Sequence, residues 1–339
     1  MTSLAAETRS LLHAHGVHPR KALGQNFLVD RDALDDVVRA AELRPGDLVL
    51  EIGPGIGTLT AALLDTHGVE VVAVELDEDL ARVMDARFSG SANVRLVRGN
   101  VLHMNLDDVL APDRPYKVVA NIPYYITAPI IRLFLEAPRT PRSIVLMVQR
   151  EVAERLAAAP GRMSVLGVTA QFYAQVDVVR TVPASSFVPP PAVDSAVVRL
   201  RPYRTTLLPL AEADRFFALV KAGFGEKRKQ LHNALVRGLA HVPAAEIDAA
   251  LANVSIERTR RAETLGLEEW GALFNELGAR VPRPKAKDIQ GHGRGVLNTP
   301  GLNTPGLQTR DAHTELLPPL SPEVAAMARR AGISVEEDL

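Results

Sequence analysis

The sequence predicts an α/β protein: a mostly parallel sheet with an antiparallel edge, followed by a small all-α C-terminal domain. Three observations predict it. From 47 to 146, short apolar runs alternate with stretches whose apolar residues recur every three or four positions. That is the rhythm of successive βαβ units with helices on both faces of a sheet. Val49-Leu50-Glu51-Ile52-Gly53-Pro54-Gly55-Ile56-Gly57-Thr58 runs from an apolar strand pattern straight into a helical one through three closely spaced glycines. From about 205 to 280, Leu, Ala and Phe keep helical spacing throughout.

Residues 3–15 are mostly helix formers, and 16–30 are polar and basic. Asp30 is placed to cap a helix over 31–42, whose Ala33, Leu34, Val37, Val38 and Ala41 share one face. Strands are expected at 48–52, 71–75, 94–97, 117–121 and 143–148, and helices at 58–65, 78–88, 128–136, 150–158 and 163–173. The β-branched runs 176–182 and 193–200 suit two antiparallel strands at a sheet edge. The expected domains are an N-terminal helical and lid segment over 1–46, a sheet domain over 47–204 and a helical domain over 205–281. A tail over 282–339 follows, where Leu297-Asn298-Thr299-Pro300-Gly301 recurs as Leu302-Asn303-Thr304-Pro305-Gly306. This reads as a flexible linker, and Ser321-Pro322-Glu323 marks the start of a short terminal helix.

Composition narrows the chemistry. The 339 residues are 47% hydrophobic and 23% charged, as in an ordinary globular chain. No apolar run approaches the roughly 18 residues of a membrane span, and Glu7 and Arg9 interrupt any signal-peptide core. A cytoplasmic protein without a membrane partner is expected, and nothing demands more than a monomer. The chain has no cysteine, which excludes disulfides, thiolate metal sites, iron–sulfur clusters and thiol nucleophiles. The net charge of −1 conceals a basic stretch from 221 to 237, with Lys221, Lys227, Arg228, Lys229 and Arg237 against Glu226 alone. A nucleic-acid partner is therefore compatible with the charge.

The glycine turn opens backbone N–H groups at a helix start to a ligand. A dinucleotide fingerprint would put its third glycine at Thr58, whereas the spacing here is Gly53, Gly55, Gly57. No lysine follows the loop, so it is not a P-loop. Glu75 ends the second strand of the sheet domain, 22 residues after Gly53, where a carboxylate accepts both hydroxyls of a ribose. Asn100 follows the third, either as a polar side chain that meets an adenine edge or as a plain turn residue. An adenosine whose phosphates are not needed fits these strand ends, and S-adenosylmethionine fits best.

The fourth strand ends in Asn121-Ile122-Pro123-Tyr124. The exocyclic amine of adenine is a poor nucleophile, because its lone pair is delocalised into the ring. Two hydrogen-bond acceptors on the amine let the nitrogen pyramidalise, and the Asn121 side-chain oxygen with the Ile122 carbonyl supplies them. Pro123 restricts Ile122 to extended conformations and fixes its carbonyl. Tyr124 offers a stacking face. Phe187, ahead of Pro189-Pro190-Pro191, is either a second face for a flipped base or a buried loop anchor.

These motifs together resemble the ribosomal RNA adenine dimethyltransferases, most closely the KsgA-type enzymes of the small subunit. The resemblance covers about 23 to 277. It includes Leu23-Gly24-Gln25-Asn26-Phe27-Leu28, the glycine loop, Glu75, Asn121 to Tyr124, and Ser186-Phe187-Val188-Pro189-Pro190-Pro191-Ala192-Val193-Asp194-Ser195. Phe224-Gly225-Glu226-Lys227-Arg228-Lys229-Gln230-Leu231 and Arg261-Ala262-Glu263-Thr264-Leu265 complete it.

The resemblance implies a Rossmann-like methyltransferase that uses S-adenosylmethionine. It implies dimethylation of two adjacent adenosines near the 3′ end of 16S rRNA in a pre-30S particle. Asn26, Leu28, Gly53, Gly55, Glu75, Asn100 and Asn121 would then line the cofactor site, with Tyr124 and Phe187 sandwiching the base. Lys221, Lys227, Arg228 and Lys229 would meet phosphates. Asn100 departs from the family's usual aspartate. A macrolide-resistance methyltransferase acting on large-subunit RNA and a non-catalytic assembly factor are the alternatives.

Overall fold

The computed structural model describes residues 3–20, 24–226 and 228–283. Leu23, Lys227 and the expected terminal helix of the tail lie outside the described residues. The chain runs α1 (Leu4–Ala14), β1 (Phe27–Leu28), α2 (Arg31–Ala40), β2 (Leu48–Ile52), α3 (Thr58–Leu64), β3 (Glu70–Glu75) and α4 (Glu78–Phe88). It continues with β4 (Val94–Arg98), α5 (Leu106–Val109), β5 (Tyr116–Asn121), α6 (Thr127–Leu135), β6 (Ile144–Gln149), α7 (Arg150–Leu156), α8 (Val165–Tyr173) and β7 (Ala174–Val182). Last come β8 (Phe187–Val188), β9 (Ser195–Pro202), α9 (Ala213–Phe224), α10 (Leu231–Gly238), α11 (Ala244–Asn253) and α12 (Leu267–Leu277).

The sheet has the order β4-β3-β2-β5-β6-β9-β7. The pairs from β4 to β6 are parallel, and β9 runs antiparallel to β6 from Ile144↔Leu200 to Gln149↔Ser195. The chain builds β2, β3 and β4 in one direction, then crosses back to lay β5 on the other side of β2. Neighbouring loops therefore diverge at the carboxyl ends of β2 and β5, the switch point where open α/β sheets form their crevice. β2 is buried at every position because helices cover both faces. β9 inserts between β6 and β7, so of the two edge segments only β7 forms the rim, where Val178 and Val179 stay exposed.

Asp30 caps α2 as its position predicts, accepting from Ala33 N at 3.1 Å. Its other oxygen accepts from Ser186 Oγ at 2.7 Å, beside a two-stranded antiparallel sheet that pairs Leu28 with Phe187 and Phe27 with Val188. Two-residue strands have no periodicity, so the sequence carries no sign of this one.

Two compact units emerge among the described residues, one of those up to Glu154 with Val176–Pro202, the other of Arg155–Gln175 with those from Tyr203 to Arg283. The sequence pattern keeps 155–175 with the sheet. In the structure Phe172 stacks on Phe216 at 5.0 Å and meets Phe217 edge-on at 5.2 Å, an aromatic cluster that groups α8 with the later helices. In the same unit Trp270 is fully buried and stacks on Phe224 at 5.7 Å. Lys221, Arg228 and Lys229 are exposed on α9 and the loop after it.

Candidate active site

A cleft opens at the switch point, within the first unit. Its floor is the glycine loop after β2, and its walls are the ends of β3 and β5, the Asn100 turn, and residues 24–28. Gly53, Gly55 and Gly57 all take left-handed φ, at +64°, +61° and +79°. A Cβ on Gly53 would meet nothing within 4 Å, so that side of the loop is open, whereas one on Gly55 would lie 3.0 Å from the Phe27 ring. Segment 24–28 therefore sits on the loop as closely as glycine permits. Gln25 Nε2 donates to Asp77 at 2.7 Å, and Arg20 pairs with Asp77 and Asp79, holding this segment at the cleft.

Glu75 is buried at the end of β3. Its carboxylate accepts from Gly55 N at 3.1 Å and Asp77 N at 2.8 Å. Burial pushes its pKa up, against the pull of these backbone donors. Glu51, one strand over, also lines the cleft and is fully buried. Thr60 Oγ1 donates to its Oε2 at 2.6 Å, while Oε1 has no partner among the described residues. Burial, with the charge of Glu75 adding to it against the Thr60 bond, pushes the Glu51 carboxyl up to about 8.

Asn100 uses its Oδ1 to cap the following turn, accepting from Leu102 N at 3.1 Å. Its amide nitrogen is then the atom left for the cleft, a donor where an aspartate would present an acceptor.

Asn121, at the end of β5, donates through Nδ2 to the Asn26 backbone oxygen at 3.2 Å. Asn26 in turn donates its own Nδ2 to Gly24 O at 3.1 Å. The bond to Asn26 orients the Asn121 amide so that Oδ1 remains an acceptor. Ile122 is buried, and Pro123 has φ −56° and ψ 136°. Tyr124 lines the cleft half-buried. Its Oη lies 2.7 Å from Ser195 Oγ. Burial raises the phenol pKa, opposed by that hydrogen bond.

The structure brings Asn26, Leu28, Gly53, Gly55, Glu75, Asn100 and Asn121 to Tyr124 together around one cleft. Phe187 is the correction. It is 2% exposed and packs in the apolar core with Leu28, Met147 and Val197, and it does not line the cleft. Pairing of β8 with β1 holds it there, so in this conformation it is the buried anchor rather than a second stacking face.

Sequence reasoning passed over Glu51, because it sits inside an apolar run. An acid in the middle of a buried strand is itself a signal, since carboxylates are rarely buried without a task. It also passed over Leu76, an apolar side chain 53% exposed at the cleft wall. Among the described residues no cluster of three or more His, Asp or Glu is placed to hold a metal, and no helix is long and apolar enough to cross a membrane.

Comparison with known proteins decides the family. The model of ribosomal RNA adenine dimethylases matches residues 16–278. The chain belongs to the ribosomal RNA adenine dimethylase family. Within it, ribosomal RNA small subunit methyltransferase A of Dehalococcoides mccartyi is 42% identical over 274 residues, 81% of this chain and 94% of that relative. Two solved structures share the architecture of a ribosomal RNA adenine dimethylase. A dimethyladenosine transferase from Plasmodium falciparum aligns at TM-score 0.65 and 28% identity, over 75% of this chain and 98% of that one. The 23S rRNA methyltransferase ErmE aligns at TM-score 0.62 and 32% identity, over 74% and 99%. The fold is the Rossmann-like fold of these methyltransferases, as the motifs imply.

Proposed function

We propose that this chain transfers methyl groups from S-adenosylmethionine to the exocyclic amines of two adjacent adenosines near the 3′ end of 16S rRNA, in a pre-30S particle. The supporting observation is the Asn121 amide, turned by Asn26 so that its oxygen is an acceptor at a strand end beside the glycine loop. The small-subunit name of the 42% identical relative favours 16S over 23S rRNA. In this reading the protein acts in the cytoplasm as a monomer.

The residues fit the cofactor. Gly53 leaves open space above its backbone, Glu75 presents a carboxylate for a ribose diol, and buried Glu51, with one oxygen that has no partner among the described residues, would give up its proton to face a cationic ligand. Bound there, the sulfonium provides a methyl group already activated for displacement. The protein's task is then positioning. Asn121 Oδ1 and the Ile122 carbonyl accept from the amine hydrogens of the target adenine and turn its lone pair toward the methyl carbon. Tyr124 supports the ring by stacking. With the amine held by Asn121 and Ile122, the proton released on methylation would pass to water. No strong base is required.

The test is purified protein with labelled cofactor and undermethylated 30S particles, followed by mass spectrometry of the modified nucleotides. Dimethyladenosine at two adjacent positions is expected. Intact cofactor binding without incorporation would overturn the assignment.

A further inference from the structure

We infer that Ser195 is a positioning residue for methyl transfer, acting as a tether that fixes the plane of the Tyr124 ring while the target adenine stays seated through both transfers. This rests on the dimethyltransferase reading above. A tyrosine on a short turn is free to rotate about two side-chain torsions, and base–aromatic stacking depends on where the ring plane lies. The structure holds Tyr124 at both ends. Its backbone oxygen accepts from Thr127 Oγ1 at 3.1 Å, and its far atom, Oη, shares a hydrogen bond of 2.7 Å with Ser195 Oγ.

The anchor is itself immobilised. Ser195 is fully buried and opens β9, in register with Gln149 at the end of β6. The residue before it is clamped on two sides. Arg150 N donates to the Asp194 backbone oxygen at 3.0 Å, and Ala184 N donates to Asp194 Oδ1 at 3.1 Å. Arg150 Nη1 stands 3.5 Å from Asp194 Oδ2. The proline-rich loop thus delivers a fixed hydroxyl beneath the stacking tyrosine, while Phe187 at its other end stays in the core.

Dimethylation makes this tether consequential. After the first transfer the base either remains for the second or leaves as monomethyladenosine. A platform free to swing shortens its residence and shifts the partition toward release. A loss of folded enzyme lowers the rate but leaves the product ratio at matched turnover unmoved.

Wild type, Ser195→Ala, Tyr124→Phe and the double variant are compared on undermethylated 30S particles, measuring kcat/KM and the ratio of mono- to dimethyladenosine, with cofactor Kd as the control for folding. Ser195→Ala is expected to lower kcat/KM about tenfold, the scale of one lost buried hydrogen bond. It raises the monomethyl fraction and leaves cofactor Kd unchanged. Tyr124→Phe should match it, and the double variant should be no worse than either. Ser195→Ala with wild-type kinetics and product ratio, or a double variant whose defects multiply, would overturn the tether alone. A wild type that makes no dimethyladenosine would overturn the functional reading and the tether with it.

Discussion

At the scale of single residues, the cleft sets two side chains apart by what each has been denied. Asn121 has spent its donor on Asn26 and keeps an acceptor. Replacing it with alanine removes that acceptor, and methylation should fall by about 10²-fold or more, the usual loss for one preorganised electrostatic partner. Particle binding should survive, checked by co-sedimentation with 30S particles. Equal loss of both would contradict a purely chemical role. Glu51 has one oxygen without a partner among the described residues, and its carboxyl is pushed from the usual 4.5 to about 8. The folded protein then keeps a proton that the unfolded chain releases between those two values. Stability contributed at this position falls as pH rises through that window, and the full penalty is in place above it. Glu51→Gln removes the penalty, a few kcal/mol at most on the order-of-magnitude scale of such shifts. Melting curves of the variant and wild type should coincide near pH 5 and separate in favour of the variant near pH 9. A difference independent of pH would mean that Glu51 titrates as an ordinary carboxylate.

At the scale of elements, Asp30 follows β1 and caps α2, with one carboxylate oxygen on the helix and the other on Ser186. Asp30→Ala should cost about 1–2 kcal/mol for the lost cap and the lost hydrogen bond, visible as a lower denaturation midpoint. An unchanged midpoint would show that the helix end is held by packing alone. The cap was legible in the sequence, as were β2, β3, β5 and β6, because buried parallel strands read as apolar runs bounded by helical ones, and the edge strand β4 as the alternating Val94-Arg95-Leu96-Val97-Arg98. The cleft wall was legible for a different reason, since glycines and a lone strand-end acid stand out against such runs. The pairing of β1 with β8 and the burial of Phe187 were not legible. Both depend on a long-range contact that leaves no periodic trace, and a phenylalanine before prolines looks the same whether it faces a cleft or a core. The allegiance of α8 was hidden likewise, because helical spacing marks an apolar face without naming the residues that will meet it.

At the scale of the whole molecule, the two compact units divide the expected labour. Every residue that lines the cleft belongs to the first, and the exposed Lys221, Arg228 and Lys229 belong to the second. Replacing those three with glutamine should weaken particle binding and flatten its dependence on salt, by roughly 0.7 in the log–log slope per lost phosphate contact on single-stranded RNA. Cofactor Kd, measured by calorimetry, should not move. An unchanged salt slope would remove these side chains from the RNA interface.

The pairing of β1 with the chain around Phe187 also bears on how the molecule is made. Asp30 and Ser186 are 156 positions apart, and Asp36 and Arg180 are 144 apart. At roughly 5–20 residues per second of synthesis, this N-terminal segment leaves the translating ribosome about seven to thirty seconds before its partners exist. β9, which carries the anchor for Tyr124, is younger still, and it must slot between two strands already made. A nascent chain stalled before Ser186 has its glycine loop and Asn121 but nothing for β1 and Asp30 to pair with, so the cleft is among the last parts of this unit to be finished.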